Sequence, residues 1–109
     1  MEQLHYDIAR HDDEVYVELS GVLDLATRPT FTEIADDVLG RDRRRVVFDL
    51  SALDFMDSTG IVELIRAARR AEQGGIPVRF IGPKGGAARR TADVVGLERI
   101  LGWDSPAEA

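Results

Sequence analysis

Between Leu23 and Phe31 the spacing of apolar residues changes from every second position to every third or fourth, and that change limits the folds open to this chain. "LHYDIAR" (4–10) and "VYVELSG" (15–21) alternate apolar with polar residues, the period of strands that bury one face. Asp12, Asp13 and Glu14 separate them as a tight polar turn, so the pair predicts an antiparallel hairpin. From Phe31 onward, Phe31, Ile34, Ala35, Val38 and Leu39 follow i, i+3, i+4, i+7, i+8, the stripe of an amphipathic helix. Thr27 reads as its N-cap, Pro29 suits its first turn, and Gly40 reads as the left-handed residue that ends it.

"RVVFDL" (45–50) is a nearly continuous apolar run rich in β-branched residues, as expected of a strand covered on both faces of a parallel sheet. A second helix is predicted from near Ser58 to Gly74-Gly75, burying Ile61, Leu64, Ile65 and Ala68. "PVRFIG" (77–82) predicts a further strand, and "GGAARRTADVVG" (85–96) a third helix stopped by Gly96. "LERIL" and Trp103 are expected to pack back on the body, with the polar residues after them fraying. The order β-β-α-β-α-β-α predicts an α/β fold: a mixed, mainly parallel sheet with an N-terminal β-hairpin, covered by helices. At 109 residues the whole chain, 1–109, is expected to be one domain, because two would each be too small to bury a self-sufficient core.

Composition narrows the function classes. There is no cysteine, which excludes disulfides and thiolate chemistry. No apolar run approaches the ~20 residues needed to span a bilayer, and Met1-Glu2-Gln3 lacks a signal-peptide pattern, so a cytoplasmic protein with no membrane partner is expected. The net charge of −6 argues against direct nucleic-acid binding, which needs a basic face. Residues 1–39 carry a net −8 and residues 40–109 a net +2. The basic clusters "RDRRR" (41–45) and Arg66-Arg69-Arg70 read as a solvated loop and as cations near a helix C-terminus.

Asp57-Ser58-Thr59-Gly60 is the stretch richest in chemistry. Serine, threonine and aspartate are favoured helix N-caps, so capping is the first explanation. No Glu or Gln stands at the third position after Ser58 or Thr59 to form a capping box, however. Gly60 is a poor helix former in the first turn, and it leaves backbone uncovered for a partner to approach. A hydrolase triad is improbable on these residues: His5 lies in the first strand, His11 at the hairpin turn, and Ser58 lacks the G-x-S-x-G setting. Asp12-Asp13-Glu14 lacks the spacing of a calcium loop, and "GPKGG" (82–86) lacks full phosphate-loop spacing, so no metal and no cofactor is expected. Asp49, with Asp12-Asp13 and Lys84, raises a weaker alternative: a receiver domain phosphorylated on aspartate. More simply, Asp49 is expected to hydrogen-bond the loop after it.

"GVLDLAT" (21–27), "VVFDLSALDFMDSTG" (46–60) and "VGLERIL" (95–101) resemble, in order and spacing, the STAS domain, and more narrowly the bacterial anti-sigma factor antagonists. The resemblance covers essentially the whole chain, and the D-S-[ST]-G box is its most specific element. It implies a non-enzymatic partner switch in transcription regulation. The unmodified antagonist binds an anti-sigma factor that is a serine kinase and frees the sigma factor. Phosphorylation of the box serine ends binding, and a serine phosphatase resets it. Carried over, the acceptor is Ser58, with Asp24, Asp57, Thr59 and Gly60 as partner-binding residues and Asp49 and Thr27 in structural roles. STAS domains also serve as scaffolds and lipid-transporter subunits, and an unphosphorylated role of that kind is the alternative.

Two geometric expectations follow for such a switch. Ser58 should stand exposed at a helix N-terminus, where the dipole and free N–H groups accommodate about −1.5 to −2 charges of phosphate. Asp24 should lie on the same face, so that with Asp57 it makes the phosphorylated surface strongly negative. Ser58→Ala is expected to lose a cap and about 1 kcal/mol of stability.

Overall fold

The computed structural model describes residues 3–40 and 44–103. Strands β1 (Leu4–Arg10) and β2 (Glu14–Leu23) lead into helix α1 (Arg28–Gly40). Strand β3 (Arg45–Met56), helix α2 (Ser58–Gln73), strand β4 (Val78–Ile81) and helices α3 (Gly86–Val95) and α4 (Leu97–Leu101) follow. The sheet order is β1-β2-β3-β4, with β1 antiparallel to β2 and the pairs β2–β3 and β3–β4 parallel. This is the mixed, mainly parallel sheet with an N-terminal hairpin that the period change predicts.

Burial follows the patterns that specify each element. All five stripe residues of α1 are buried, and Val46 through Leu50 of β3 form an unbroken buried run at the centre of the sheet. Phe48 joins the layers: its ring lies 5.9 Å from Phe31 of α1 and 5.5 Å from Phe80 of β4, within the range of favourable aromatic pairs. In α2, Ile61 and Leu64 are buried as expected, but Ala67 and Ala71 are buried more completely than Ile65 and Ala68, which pack half-buried on the core. The buried stripe is therefore rotated by about one residue.

Three local expectations are corrected. First, β3 does not stop at Leu50 but runs to Met56, since β2, which itself runs on to Leu23, continues to pair with it. Register shifts between Glu18 and Ser20 and between Gly21 and Val22 each place an extra β3 residue opposite β2. Such bulges break the alternation that would have marked the extension as strand. Second, Gly40 is still helical and has no positive φ. A Cβ there would come within 3.3 Å of an Arg70 nitrogen, so the glycine gives Arg70 room to reach its partner Asp36 on α1. Third, Thr27 stands at the N-cap position, its carbonyl accepting the Phe31 N–H at 3.2 Å, but its hydroxyl oxygen accepts no helix N–H and serves the loop before α1, described below.

At the other end, Gly96 adopts a left-handed conformation (φ 71°) and stops α3, as expected. Trp103 is buried against the strand end after β4: a Cβ on Gly82 would lie 2.6 Å from its indole. The glycine of "GPKGG" thus makes room for the tryptophan. Residues 104–109, expected to fray, lie outside the described residues, as do 41–43 of the basic cluster. Of the rest of that cluster, Arg45 pairs with Glu14 and Arg44 donates to the His11 carbonyl.

Asp49 is buried in the middle of β3. Its carboxylate accepts the Tyr16 hydroxyl at 2.5 Å and the Ser51 N–H at 2.9 Å. Its partners are thus the neighbouring strand and its own strand, where a loop was expected. Burial alone would raise its pKa, but the hydrogen bonds from Ser51 and Tyr16 outweigh that and hold it below the ordinary value. Burial and the ionised Asp49 together push the Tyr16 pKa up to about 12. A depressed carboxylate pKa contributes stability that is full above the unfolded value of 3.8 and lost as pH falls through the folded one. A raised tyrosine pKa contributes stability that is full below 10.0 and lost as pH climbs toward about 12. Tyr16→Phe should therefore cost about 1–3 kcal/mol at neutral pH, leaving a buried carboxylate one donor short. The difference should shrink in acid, once Asp49 is protonated. Urea unfolding of both proteins at neutral and acidic pH checks this, and a pH-independent difference would contradict it.

Candidate functional site

The last residues of β2 and β3, Leu23 and Met56, are paired neighbours in the sheet, so Asp24 and Asp57 leave it side by side. Parallel strands lie about 4.8 Å apart, which sets both acids on one end of the molecule. The Asp57 N–H donates to the Leu23 carbonyl at 3.3 Å, tying the two exits together. Asp24 thus lies on the same face as the start of α2, as expected.

Asp57 is the N-cap of α2. Its backbone is extended (φ −109°, ψ −172°), its carboxylate accepts the Gly60 N–H at 3.0 Å, and its carbonyl accepts the Ile61 N–H at 3.1 Å. Ser58 is therefore the first helical residue, one position past the cap. It is exposed, and among the described residues its hydroxyl has no hydrogen-bond partner. The expectation that Ser58→Ala removes a cap is corrected: aspartate already does that work. The missing capping box has the same origin, since the third position after Asp57 is Gly60, which has no side chain to reach back.

Gly60 is buried, which corrects the idea that it opens backbone to a partner. A Cβ at this position would lie 2.5 Å from the Leu23 carbonyl oxygen and 3.0 Å from Leu23 Cγ. The glycine lets the first turn of α2 rest directly on the end of β2. It sets the position of Ser58 from beneath.

The β2–α1 loop is held by a reciprocal pair. The Thr27 N–H donates to Asp24 Oδ1 at 3.0 Å, and the Asp24 N–H donates to Thr27 Oγ1 at 3.0 Å. The Thr27 hydroxyl donates in turn to the Val22 carbonyl at 2.9 Å. The Thr27 hydroxyl thus fastens the loop back to its strand, which is why it does not cap the helix. Asp24 remains half-buried beside the site. Three large apolar side chains toward this end are exposed: Leu25 (65%) next to Asp24 in the loop, Phe55 (39%) next to the last residue of β3, and Val62 (46%) in the second turn of α2. Exposed apolar groups ringed by charge mark surfaces that meet other proteins.

Ser58 also borders a concavity of about 200 Å³, lined by Arg28, Ser58, Thr59, Val62, Glu63 and Arg66. Glu63 is nearly buried, and its Oε1 receives Arg28 Nε at 3.0 Å and Arg66 Nη1 at 3.5 Å. Arg66, expected as a cation near the helix end, sits in mid-helix and lines the same concavity as the serine. Of that cluster, Arg70 is the member in the last turn, and it bonds Asp36 of α1 at 2.5 Å. The two-acid picture of the site therefore needs two guanidiniums added to it. Spacing carried the signal for Arg66: Ser58, Val62 and Arg66 stand at i, i+4 and i+8, one face of a helix. Nothing local pointed to Arg28, which comes from the other helix.

The family profile described as "Mlab, STAS domain" matches residues 6–102. The chain belongs to the STAS family. This STAS domain is 29% identical over 95 residues to the anti-sigma-F factor antagonist RsfB of Mycobacterium tuberculosis, covering 86% of this chain and 75% of that one. Its fold matches the crystal structure of an anti-sigma factor antagonist from Mycobacterium paratuberculosis with a TM-score of 0.77 at 24% identity, covering 94% and 84% of the two chains. It also matches unphosphorylated SpoIIAA, an anti-sigma factor antagonist, with a TM-score of 0.70 at 19% identity, covering 95% and 91%.

The receiver alternative does not survive the STAS geometry. Lys84 does come near Asp49, and its N–H donates to the Ser51 carbonyl at 3.3 Å. But Asp49 is buried under Tyr16, and Asp12 and Asp13 sit in the hairpin turn before β2, at the opposite end of the sheet from Asp24 and Asp57. The convergence that phosphorylation of an aspartate requires is missing. Among the described residues, no group of three or more His, Asp and Glu side chains is placed to hold a metal, and no helix is long and apolar enough to cross a membrane.

Proposed function

We propose that this STAS domain is an anti-sigma factor antagonist whose association with a serine-kinase anti-sigma factor is ended by phosphorylation of Ser58. The observation that carries the reading is the state of the Ser58 hydroxyl: exposed, unbonded, and spared from capping because Asp57 does it. A kinase can reach such a hydroxyl, and the fold does not depend on it. The relative RsfB is named an anti-sigma-F factor antagonist, which supports the same assignment.

In this reading the chain is a ligand and a substrate, not a catalyst, and works in the cytoplasm without contacting DNA or membrane. Asp24, Asp57 and Thr59 contribute to the partner-binding surface, and Gly60 acts from below by positioning it. In the kinase complex, Ser58 Oγ forms a bond to the γ-phosphorus of a nucleoside triphosphate. The bond to the diphosphate breaks, and the hydroxyl proton passes to a base of the kinase. A serine phosphatase delivers water to phosphorus, restoring the hydroxyl and releasing inorganic phosphate. Between the two steps, a partner surface fitted to a neutral hydroxyl meets an anion that is costly to desolvate.

Membership of the STAS family leaves one second reading, a STAS scaffold or lipid-transporter subunit that works unphosphorylated. Intact mass and peptide mapping after incubation with cell lysate and ATP separate the two. An acid-stable phosphate on Ser58, together with a co-purifying small ATP-binding kinase, is the expected result. An unmodified Ser58 with no such kinase in the pull-down would leave the second reading in place.

A further inference from the structure

We infer that Arg28 and Arg66 form a clamp that closes on a phosphate carried by Ser58, leaving the Glu63 carboxylate they hold in the unmodified protein. This rests on Ser58 being a phosphorylation site and states what the chain does with the phosphate once it is there.

The two guanidiniums already converge on one anion. Arg28 Nε and Arg66 Nη1 lie 3.0 Å and 3.5 Å from the same Glu63 oxygen, although they come from different helices. The Glu63 side chain is only 10% exposed, while those of Arg28 and Arg66 are 46% and 63% exposed. The acid is therefore fixed in the wall and the bases are free to swing. Ser58 opens into the same concavity.

The reach is adequate. Arg66 lies eight residues after Ser58 on one helix face, about 12 Å along the axis at 1.5 Å per residue. Helical side chains lean toward the N-terminus, so Arg66 leans toward Ser58 over Val62. Ser58 leans the same way on the same helix, so the approach rests on the length of the arginine and on the concavity that both residues line. Arg28, the first residue of α1, approaches from the opposite wall.

Charge decides which anion wins. Phosphoserine carries about −1.5 to −2 charges at neutral pH and three acceptor oxygens, against a single charge on Glu63. Guanidinium groups bind phosphate through paired, charge-assisted hydrogen bonds. Of the residues that line the concavity with Ser58, Arg28 and Arg66 are the cations, so they are what a phosphate there has at hand, while Asp24 and Asp57 at the strand exits are acids. Modification would then do more than add charge to a surface. It would also withdraw two arginines from the face offered to the partner and replace the Arg28–Glu63 tie between α1 and α2 with a tie through phosphate.

The test uses the full chain with phosphoserine inserted at position 58 during translation, so no kinase is needed. The second ionisation of the phosphate is followed by phosphorus NMR in this protein and in the same protein carrying Arg28→Gln and Arg66→Gln. A clamp holds the dianion, so the double variant should bind the titrating proton at least threefold more tightly than the phosphorylated parent. Superimposable titrations would overturn the clamp. If the double variant fails to fold, the Nε–Hε signals of Arg28 and Arg66 in the parent provide the readout. Both should shift between the Ser58 and phosphoserine-58 forms, and unshifted signals would also overturn it. Absence of phosphate on Ser58 from cells would instead count against the proposed function, leaving the clamp measurement intact.

Discussion

Gly60→Ala should destabilise the protein by about 2–3 kcal/mol, at the upper end of what overpacking costs. The added methyl would stand 2.5 Å from the Leu23 carbonyl oxygen, a backbone atom that cannot move without disturbing the end of β2. The sign makes the test sharp. For a glycine exposed on a helix, alanine would instead stabilise by about 1 kcal/mol through helix propensity. Urea unfolding with an unchanged slope and a lower midpoint is the expected result. A higher midpoint would mean that the first turn of α2 does not rest on β2 as described. The loss should also extend to partner binding, because relief of the clash pushes Ser58 outward.

The second large effect is expected on affinity. Ser58→Glu should weaken binding to the anti-sigma partner at least tenfold, or about 1.4 kcal/mol, and phosphoserine more than a hundredfold, or about 3 kcal/mol. Its stability should hold or rise slightly, since the helix dipole favours a carboxylate in the first turn. Ser58→Ala should bind like the parent. Its stability should stay within about 0.5 kcal/mol, as for other surface changes, because Asp57 supplies the cap. Affinity and stability are thus decoupled at this residue. A serine needed for capping would show the reverse, with alanine the harmful change. Calorimetric titration and thermal melts on both variants decide between them. Binding of Ser58→Glu at parental affinity would remove charge at Ser58 as the switch.

Most of the fold was legible in the sequence because its cause is local. Alternation in β1 and β2, the five-residue stripe of α1 and the apolar run at the start of β3 each state which side of an element avoids water. With the element order, those patterns allow few topologies. The same reasoning started a helix near Ser58, whereas the exposure of that serine and the place of Asp24 on its face were implied by the family resemblance. It stopped at two kinds of detail. The extension of β3 to Met56 depends on what β2 offers across the sheet, and bulges hide that from any periodicity. The choice of Asp57 over Ser58 as cap depends on which of three adjacent oxygens the backbone aims at Gly60.

By itself, then, the sequence determined the α/β architecture, which follows from residues within a few positions of one another, and the family resemblance with the exposed box serine it implies, which follows from three motifs in order along the chain. Only the tertiary structure decided the roles of Gly60, Arg28, Glu63 and Arg66. Gly60 meets a carbonyl thirty-seven positions earlier in the chain, and Arg28 meets Glu63 across thirty-five. Contacts of that span are set by how helices dock on the sheet. The side chains that surround Ser58, and the charge a phosphate there would meet, are therefore products of packing.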